Sequence, residues 1–285
     1  MDFGHSRRFA ALEARRLSGD LYPGPVLMPR GLLRALDPLV AVALGPARFG
    51  SERFEAALER MLRGRPSGPL LLCLWSTVRA GEIPHGELRR LVALLAEPAP
   101  DRPATRQEIL DWLEPRTRAA ARCVLPVFER HDQRHEAAAG VLGAGLTLTA
   151  WLRDLGTDLA GGRMRFPAED LEAAGLSFEE LRDAVPTPGV RAFLARECAW
   201  ARSLLHASGP LQEGMGGRLR RGLRAMTLRA EVLLARLEDP RRDPFRRPPR
   251  LRPHTRWRCA LRALLPHPVL EGTSPPAVRE AQAAP

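Results

Sequence analysis

Lysine and asparagine are both absent from this chain of 285 residues, so all 44 basic side chains are arginine. The absence extends along the whole chain, which is typical of codon usage in a GC-rich genome. The formal net charge of +11 permits contact with phosphate groups, anionic surfaces or nucleic acid. It gives no information about the fold.

Cysteine is sparse, and its spacing excludes two common classes of site. The four cysteines are Cys73, Cys123, Cys198 and Cys259, with no C-x-x-C pair among them. This spacing excludes the usual zinc and thioredoxin-like motifs and favours a reducing compartment. We expect these cysteines to be packing residues.

Long apolar runs are missing as well. The longest weakly polar run, residues 137–152, is rich in Ala, Gly and Thr. It is shorter than the roughly 18 residues that a membrane-spanning helix requires. The first residues lack the apolar core of a signal peptide. We therefore expect a cytoplasmic protein, with peripheral membrane contact as an open alternative.

Helical periodicity is present, whereas β-type alternation is missing over any useful length. Thr105 followed by Glu108 predicts a capping box at one helix start, and Asp132 is placed to cap another helix. The predicted helices cover residues 5–18, 30–45, 51–63, 68–80, 84–96, 105–128, 136–170, 188–207, 213–238 and 257–265. We predict an all-α protein with one helical domain, residues 1–265, and a disordered tail, residues 266–285.

The stretch 136–170 carries the clearest candidate site. Read as a helix, it places Asp154 and Asp158 one turn apart on the same face, where two carboxylates can hold a hard cation. Thr147 and Gly143 lie further back along this face, and such small side chains leave a groove. Glycine inside a helix costs about 1 kcal/mol relative to alanine. Gly143 and its neighbour Gly145 therefore require a packing reason or a long ligand lying against the helix.

The same stretch resembles the second aspartate-rich motif of the squalene and phytoene synthase family, T-N-x-x-R-D-x-x-x-D-x-x-x-G-R-x-Y-L-P. The residues at the family's spacing are Arg153, Asp154, Asp158, Gly162, Arg163 and Pro167. Residues 18–29 and the segment from Thr105 to Trp112 also resemble family motifs. An exposed helix face with local charge pairs would explain an isolated D-x-x-x-D, but it does not explain the whole run.

The resemblance implies a class I isoprenoid synthase helical bundle with a central cavity. It also implies a prenyltransferase that ionises an allylic isoprenoid diphosphate with Mg²⁺, because the cation neutralises the departing pyrophosphate. Asp154 and Asp158 would hold the magnesium. Arg153 would orient them or contact the diphosphate, and Arg163 would bind the diphosphate.

The first aspartate-rich motif of the family, F-x-R-x-x-D-D-x-x-D, is missing. Without gaps it falls on Val42, Leu44, Ala47, Arg48 and Ser51, so no carboxylate remains. Arg48 could replace a cation at the diphosphate, since guanidinium binds phosphate oxygens directly, or it could be an ordinary surface side chain. Two hypotheses stay open: a prenyltransferase with an altered acceptor, and a non-catalytic homologue that acts as a lipid-binding, scaffold or assembly protein.

The segment 240–262 is rich in arginine and proline and could contact a membrane peripherally. A nucleic-acid interface would require more stacking aromatics than Phe245 and Trp257, so we expect no nucleic-acid partner. His131 and His135, four residues apart, could ligate a metal. Because they lie among charged residues at a predicted helix start, a solvated turn is the favoured interpretation.

Overall fold

The computed structural model describes residues 10, 19–21, 37–40, 51–80, 83–130, 132–212, 215–246 and 248–265. Within these residues the chain forms ten α-helices with defined ends and no strand, which confirms the all-α prediction. They are α1 (Ser51–Leu62), α2 (Gly68–Ala80), α3 (His85–Ala96), α4 (Arg106–Val124), α5 (Gln133–Ala160), α6 (Ala168–Ala173), α7 (Phe178–Arg182), α8 (Pro188–Ala207), α9 (Gly217–Glu238) and α10 (Pro253–Leu264). Short 3₁₀ turns cover Gly19–Leu21, Leu125–Phe128 and Gly209–Gln212.

Helix α5 lies at the centre of the fold, where it packs against α4, α8 and α9. Its buried side chains include Leu148, Leu152, Leu155 and Leu159, which recur at the spacing of one helix face. They belong to the larger of two hydrophobic clusters. The second cluster joins α1, α2 and α3 to part of α4. The core thus holds α5 rigidly between its neighbours.

The predicted caps are observed, with one correction. The Asp132 carboxylate accepts a hydrogen bond from the backbone N–H of His135 at 2.9 Å and begins α5. The Thr105 hydroxyl accepts from Glu108 N at 3.3 Å, as a capping box requires. The Glu108 carboxylate, however, accepts from Ala104 N at 2.8 Å instead of from Thr105 N. The box is therefore half formed.

Several predicted helix boundaries were wrong, including three that differ from the observed ends by four residues or more. The central helix ends at Ala160, so residues 161–170 are not part of it. Helix α9 begins at Gly217 instead of residue 213. Helix α10 begins at Pro253, four residues before the predicted start, because proline fits the first position of a helix, where its missing N–H is not needed.

Several predictions fall outside the described residues. These are the helix 5–18, most of the helix 30–45, the two interpretations of Arg48, the ligand role of His131, and the tail 266–285. His135 is described, and its imidazole Nδ1 lies 2.6 Å from Asp132 Oδ2 at the start of α5. In the part of the chain with assigned structure, no helix is long and apolar enough to cross a membrane.

Candidate active site

An apolar cavity of about 550 Å³ lies between α4, α5 and α9. Its wall is mostly hydrophobic and includes Trp112 from α4, Leu142 and Leu146 from α5, and Leu219 and Met226 from α9. A volume of this size is within the range of small-molecule sites in proteins. The cavity can therefore take up a long apolar ligand.

The α5 wall of this cavity includes Gly143 and Thr147, two residues of the face that the sequence predicted as a groove. Gly143, Thr147, Ala150 and Arg153 all line the cavity. Gly143 lies in a tight contact: a Cβ atom there would lie 3.1 Å from Thr117 Cγ2 and 3.2 Å from its Cβ, closer than most real contacts. The Thr147 hydroxyl donates a hydrogen bond to Gly143 O at 2.8 Å. Close approach of α4 and α5 therefore explains this glycine.

Helix α5 ends in a Schellman motif, which explains the Gly-Arg spacing of the motif. Gly162 has φ +74°, in the left-handed region that glycine adopts without strain. Its N–H donates to Leu159 O at 2.9 Å, and the N–H of Arg163 donates to Asp158 O at 2.9 Å. This turn folds Arg163 back over the last turn of the helix, so that its side chain reaches Asp158.

Asp158 is buried and paired with two arginines. Arg163 donates to Oδ1 from Nε at 3.1 Å and from Nη2 at 2.9 Å. Arg165 places its Nε 3.1 Å from Oδ2, and its guanidinium lies 5.4 Å from the ring centre of Trp151. A buried carboxylate requires such partners because an unpaired charge is strongly disfavoured away from water. Asp158 therefore holds the end of α5 together.

Asp154 is half-exposed and paired with its neighbour Arg153. Arg153 Nε lies 2.8 Å from Oδ1 and Nη2 lies 2.6 Å from Oδ2, a bidentate arrangement. The hydrogen bonds that Arg153 donates to Asp154 raise the pKa of Arg153 above its ordinary value, although burial opposes this. Arg153 also lines the cavity. The Arg153–Asp154 pair thus lies where the apolar wall meets the polar end of α5.

The carboxylates themselves are not part of the cavity wall. Asp154 and Asp158 are absent from the lining residues, and each carboxylate contacts arginine. Within the described ranges, no three His, Cys, Asp or Glu side chains are grouped closely enough to hold a metal ion. Magnesium often takes only one or two protein carboxylates when substrate phosphates supply further ligands. Two carboxylates are too few for an all-protein magnesium site, so a cation here would need phosphate oxygens as further ligands.

The other charged residue in the wall is Arg116, on α4. Its Nη1 donates to Trp112 O at 2.6 Å, its Nη2 donates to Glu97, and its guanidinium stacks 3.8 Å from the Trp112 ring centre. Arg116 was not among the predicted site residues. Its separation of four from Trp112 on one helix was the available signal, since such pairs lie on one face.

Asp20 is a second residue that sequence analysis missed. Its Oδ2 accepts from the backbone N–H of Leu251 at 2.8 Å, and its Oδ1 pairs with Arg256 on α10. The neighbouring Leu21 lines the cavity. Asp20 therefore fixes one edge of the cavity to the C-terminal part of the described chain. No local pattern could predict this, because the partners are more than 200 residues apart.

An all-α bundle around an apolar cavity, with an aspartate-rich helix at its centre, is the architecture of the isoprenoid synthases. Solved structures share this fold. A dehydrosqualene synthase matches with a TM-score of 0.80 at 17% identity, covering 92% of this chain and 96% of that one. The squalene synthase HpnC from Alicyclobacillus acidocaldarius matches with a TM-score of 0.67 at 23% identity, covering 82% and 96%.

The sequence places the chain within one family of this fold. Residues 24–258 match the squalene/phytoene synthase family. A phytoene synthase from Thermus thermophilus is 31% identical over 274 residues, which is 92% of each chain. The protein belongs to the squalene/phytoene synthase family, and this membership supports a prenyltransferase-type function in isoprenoid biosynthesis.

Proposed function

We propose that the protein is a prenyltransferase that acts on an allylic isoprenoid diphosphate. The observation that carries this proposal is the position of Arg153: it lines the apolar cavity and forms a bidentate pair with Asp154 of the second aspartate-rich motif. An amphiphilic substrate has a long apolar chain and a charged end. The cavity is suited to the apolar chain, and the Arg153–Asp154 pair is suited to the charged end.

The charge balance of the motif supports diphosphate as the charged group. Arg153, Arg163 and Arg165 form ion pairs with Asp154 and Asp158, so these five side chains together carry one excess positive charge. A diphosphate with magnesium would exchange partners with these pairs. The carboxylates would then bind the cation, and Arg153 and Arg163 would bind phosphate oxygens, as guanidinium does with high geometric specificity. Magnesium supplies neutralisation of the leaving pyrophosphate.

The two small residues of the α5 wall have complementary roles in this proposal. Gly143 allows α4 and α5 to approach closely, and Thr147 keeps its hydroxyl hydrogen bonded to the helix backbone. Both leave the prenyl chain an apolar surface without unsatisfied donors. The acceptor would enter the same cavity as a second apolar molecule. Because the first motif has lost its carboxylates, the acceptor could differ from a second prenyl diphosphate.

Magnesium-dependent release of pyrophosphate from farnesyl diphosphate tests the proposal. We expect release by the parent protein and a fall of about 100-fold or more in Asp154→Ala, the size of effect expected when an electrostatic contact to a leaving group is removed. Asp183→Ala, at an exposed residue just after α7, is the matched control and should release pyrophosphate normally. Equal rates in parent and Asp154→Ala would refute the proposal.

The alternative is a non-catalytic homologue that binds an apolar lipid as a scaffold or assembly protein. It is favoured by the loss of the first-motif carboxylates and by the pairing of both remaining ones with arginine. The same assay separates the two hypotheses. Saturable binding of farnesyl diphosphate without any release of pyrophosphate, in parent and variant alike, would support the alternative.

A further inference from the structure

Helix α10 exposes a continuous apolar stripe. Trp257, Leu261 and Leu264 recur at the spacing of one helix face, and Leu265 follows directly; each is 46–58% exposed. In the described part of the chain, Val185 is the one other large apolar side chain with comparable exposure. Contiguous exposed apolar surface of this kind marks an interaction site more often than isolated residues do.

The stripe is not the result of loose packing, because the opposite face of α10 is tightly fixed. Small side chains on that face, Cys259, Ala260 and Ala263, are buried against α9. The guanidinium of Arg224 on α9 donates to Leu265 O at 2.8 Å, and Arg236 donates to Thr255 Oγ1 at 3.1 Å. The helix is therefore held in place with its apolar stripe turned outward.

The charge around the stripe is strongly positive. Residues 240–265 contain nine arginines and one aspartate, a formal charge of +8, which is most of the net charge of the whole chain. Helix α10 has no acidic residue. Arg258 and Arg262 are exposed beside the stripe, and within the described residues neither forms an ion pair. Long arginine side chains can extend to phosphate while the apolar residues insert more deeply.

We propose that this face of α10 docks on a lipid bilayer that contains anionic lipids. A basic helix with Trp and Leu on one side and arginine next to them is the pattern of helices that lie in the membrane interface. A second copy of the chain fits less well, because two such stripes face to face would bring Arg258 and Arg262 of both copies together.

Docking through α10 would bring the membrane close to the cavity. Helix α9 lies between α10 and the cavity: Leu219 and Met226 line the cavity, whereas Ala225 packs against α10. One helix is about 10–12 Å thick including its side chains. A bilayer at α10 would therefore lie about one helix thickness from the cavity, so an apolar product would be released close to lipid. This consequence rests on the proposed function; the docking itself does not.

Vesicle sedimentation with the full chain tests the docking. We expect binding to vesicles of phosphatidylcholine with about 30% phosphatidylglycerol, weaker binding to pure phosphatidylcholine, and weakening as salt rises, because surface charges are screened. The double variant Trp257→Ser/Leu261→Ser should lose about tenfold or more in affinity. Arg258→Gln/Arg262→Gln should lose a similar factor on the anionic vesicles alone.

Matched variants make the result specific to this face. Val185→Ser removes an equally exposed apolar side chain elsewhere, and Arg53→Gln/Arg90→Gln removes two exposed arginines on α1 and α3. Both should bind vesicles as the parent does. Unchanged vesicle binding of the α10 variants would overturn the proposal. A parent protein that forms a dimer, does not bind vesicles, and becomes a monomer in Trp257→Ser/Leu261→Ser would also overturn it. Neither readout requires enzymatic activity.

Discussion

The guanidinium of Arg163 donates two hydrogen bonds to Asp158 Oδ1, at 3.1 and 2.9 Å, from a position two residues beyond the C-cap of the central helix. This contact depends on the left-handed turn at Gly162. In the aspartate-rich motif, the second aspartate, the glycine and the arginine thus form one unit: the glycine ends the helix, and the turn returns the arginine to the carboxylate.

Replacing Gly162 with alanine tests whether the left-handed turn positions Arg163 for pyrophosphate release. An alanine at φ +74° is strained by about 1–2 kcal/mol, which should appear in urea unfolding. Gly64→Ala, at φ +82° with open space around it, should lose a similar amount. Pyrophosphate release should fall about tenfold in Gly162→Ala alone, because Arg163 is displaced. Equal activity of the two variants would show that the turn does not position Arg163 for catalysis.

The two aspartates of the motif should respond differently to the isosteric change to asparagine. Asp158 is buried between Arg163 and Arg165, so Asp158→Asn should lower the free energy of unfolding by about 2 kcal/mol. Asp154 is half-exposed, so Asp154→Asn should stay within about 0.5 kcal/mol of the parent. Both variants should lose pyrophosphate release. Urea unfolding and the release assay on the same preparations check this, and equal stability loss would contradict the assigned burial.

Features that depend on residues close together along the chain were predicted from the sequence. Helix α8 was predicted with its observed ends, residues 188–207. In the structure the Thr187 side chain caps its start and Pro188 occupies the first helical turn, both local features of the sequence. Gly143 and Thr147 were predicted to share one face of α5, since helical periodicity determines which residues share a face, and both line the cavity. Asp154 and Asp158, predicted on the same face, do not line it.

The sequence could not predict how the acidic residues are paired. Asp154 forms an ion pair with its neighbour Arg153. Adjacent residues on a helix do not face each other, but the arginine side chain is long enough to reach back. Asp158 takes Arg165 across a turn whose geometry depends on Gly162. Such pairs depend on rotamers and tertiary packing, which a spacing rule does not contain. The family resemblance therefore identified the motif but not its charge balance.

A close backbone approach at Gly156 gives a third prediction. A Cβ atom there would lie 2.7 Å from Phe245 O and 3.0 Å from Phe245 Cα. Gly156→Ala should therefore push the arginine-rich segment off α5, lower the free energy of unfolding by about 1–3 kcal/mol, and speed tryptic cleavage within residues 240–252. Gly86→Ala has nothing within 4 Å and should be neutral or stabilising by up to about 1 kcal/mol. Unaltered cleavage in Gly156→Ala would contradict this packing.

A buried acid pair joins α6 to α8 away from the cavity. Asp170 and Glu197 are fully buried, and Arg106 contacts both, at 2.7 and 3.4 Å. Burial raises the pKa of Glu197 to about 8, with a further contribution from the hydrogen bond to Asp170. Burial alone would also raise the pKa of Asp170, but hydrogen bonds from Glu197, Arg106 and Arg196 outweigh it and lower that pKa. Glu197 is therefore the protonated member of the pair at neutral pH.

This pair predicts a stability that falls as pH rises. The pKa of Glu197 is higher in the folded chain than its ordinary 4.5, so its contribution is complete below pH 4.5 and is lost as pH rises through about 8. The loss is at most about 1.4 kcal/mol per pH unit. Glu197→Gln keeps a hydrogen-bond donor and removes the titration, so its unfolding free energy should show a shallower pH dependence between pH 4.5 and 8 and exceed that of the parent at pH 8.5. Glu172→Gln, on the exposed side of α6, is the control, and its unfolding free energy should show the same pH dependence as that of the parent. A parent-like pH dependence in Glu197→Gln would contradict the assignment of the buried proton to Glu197.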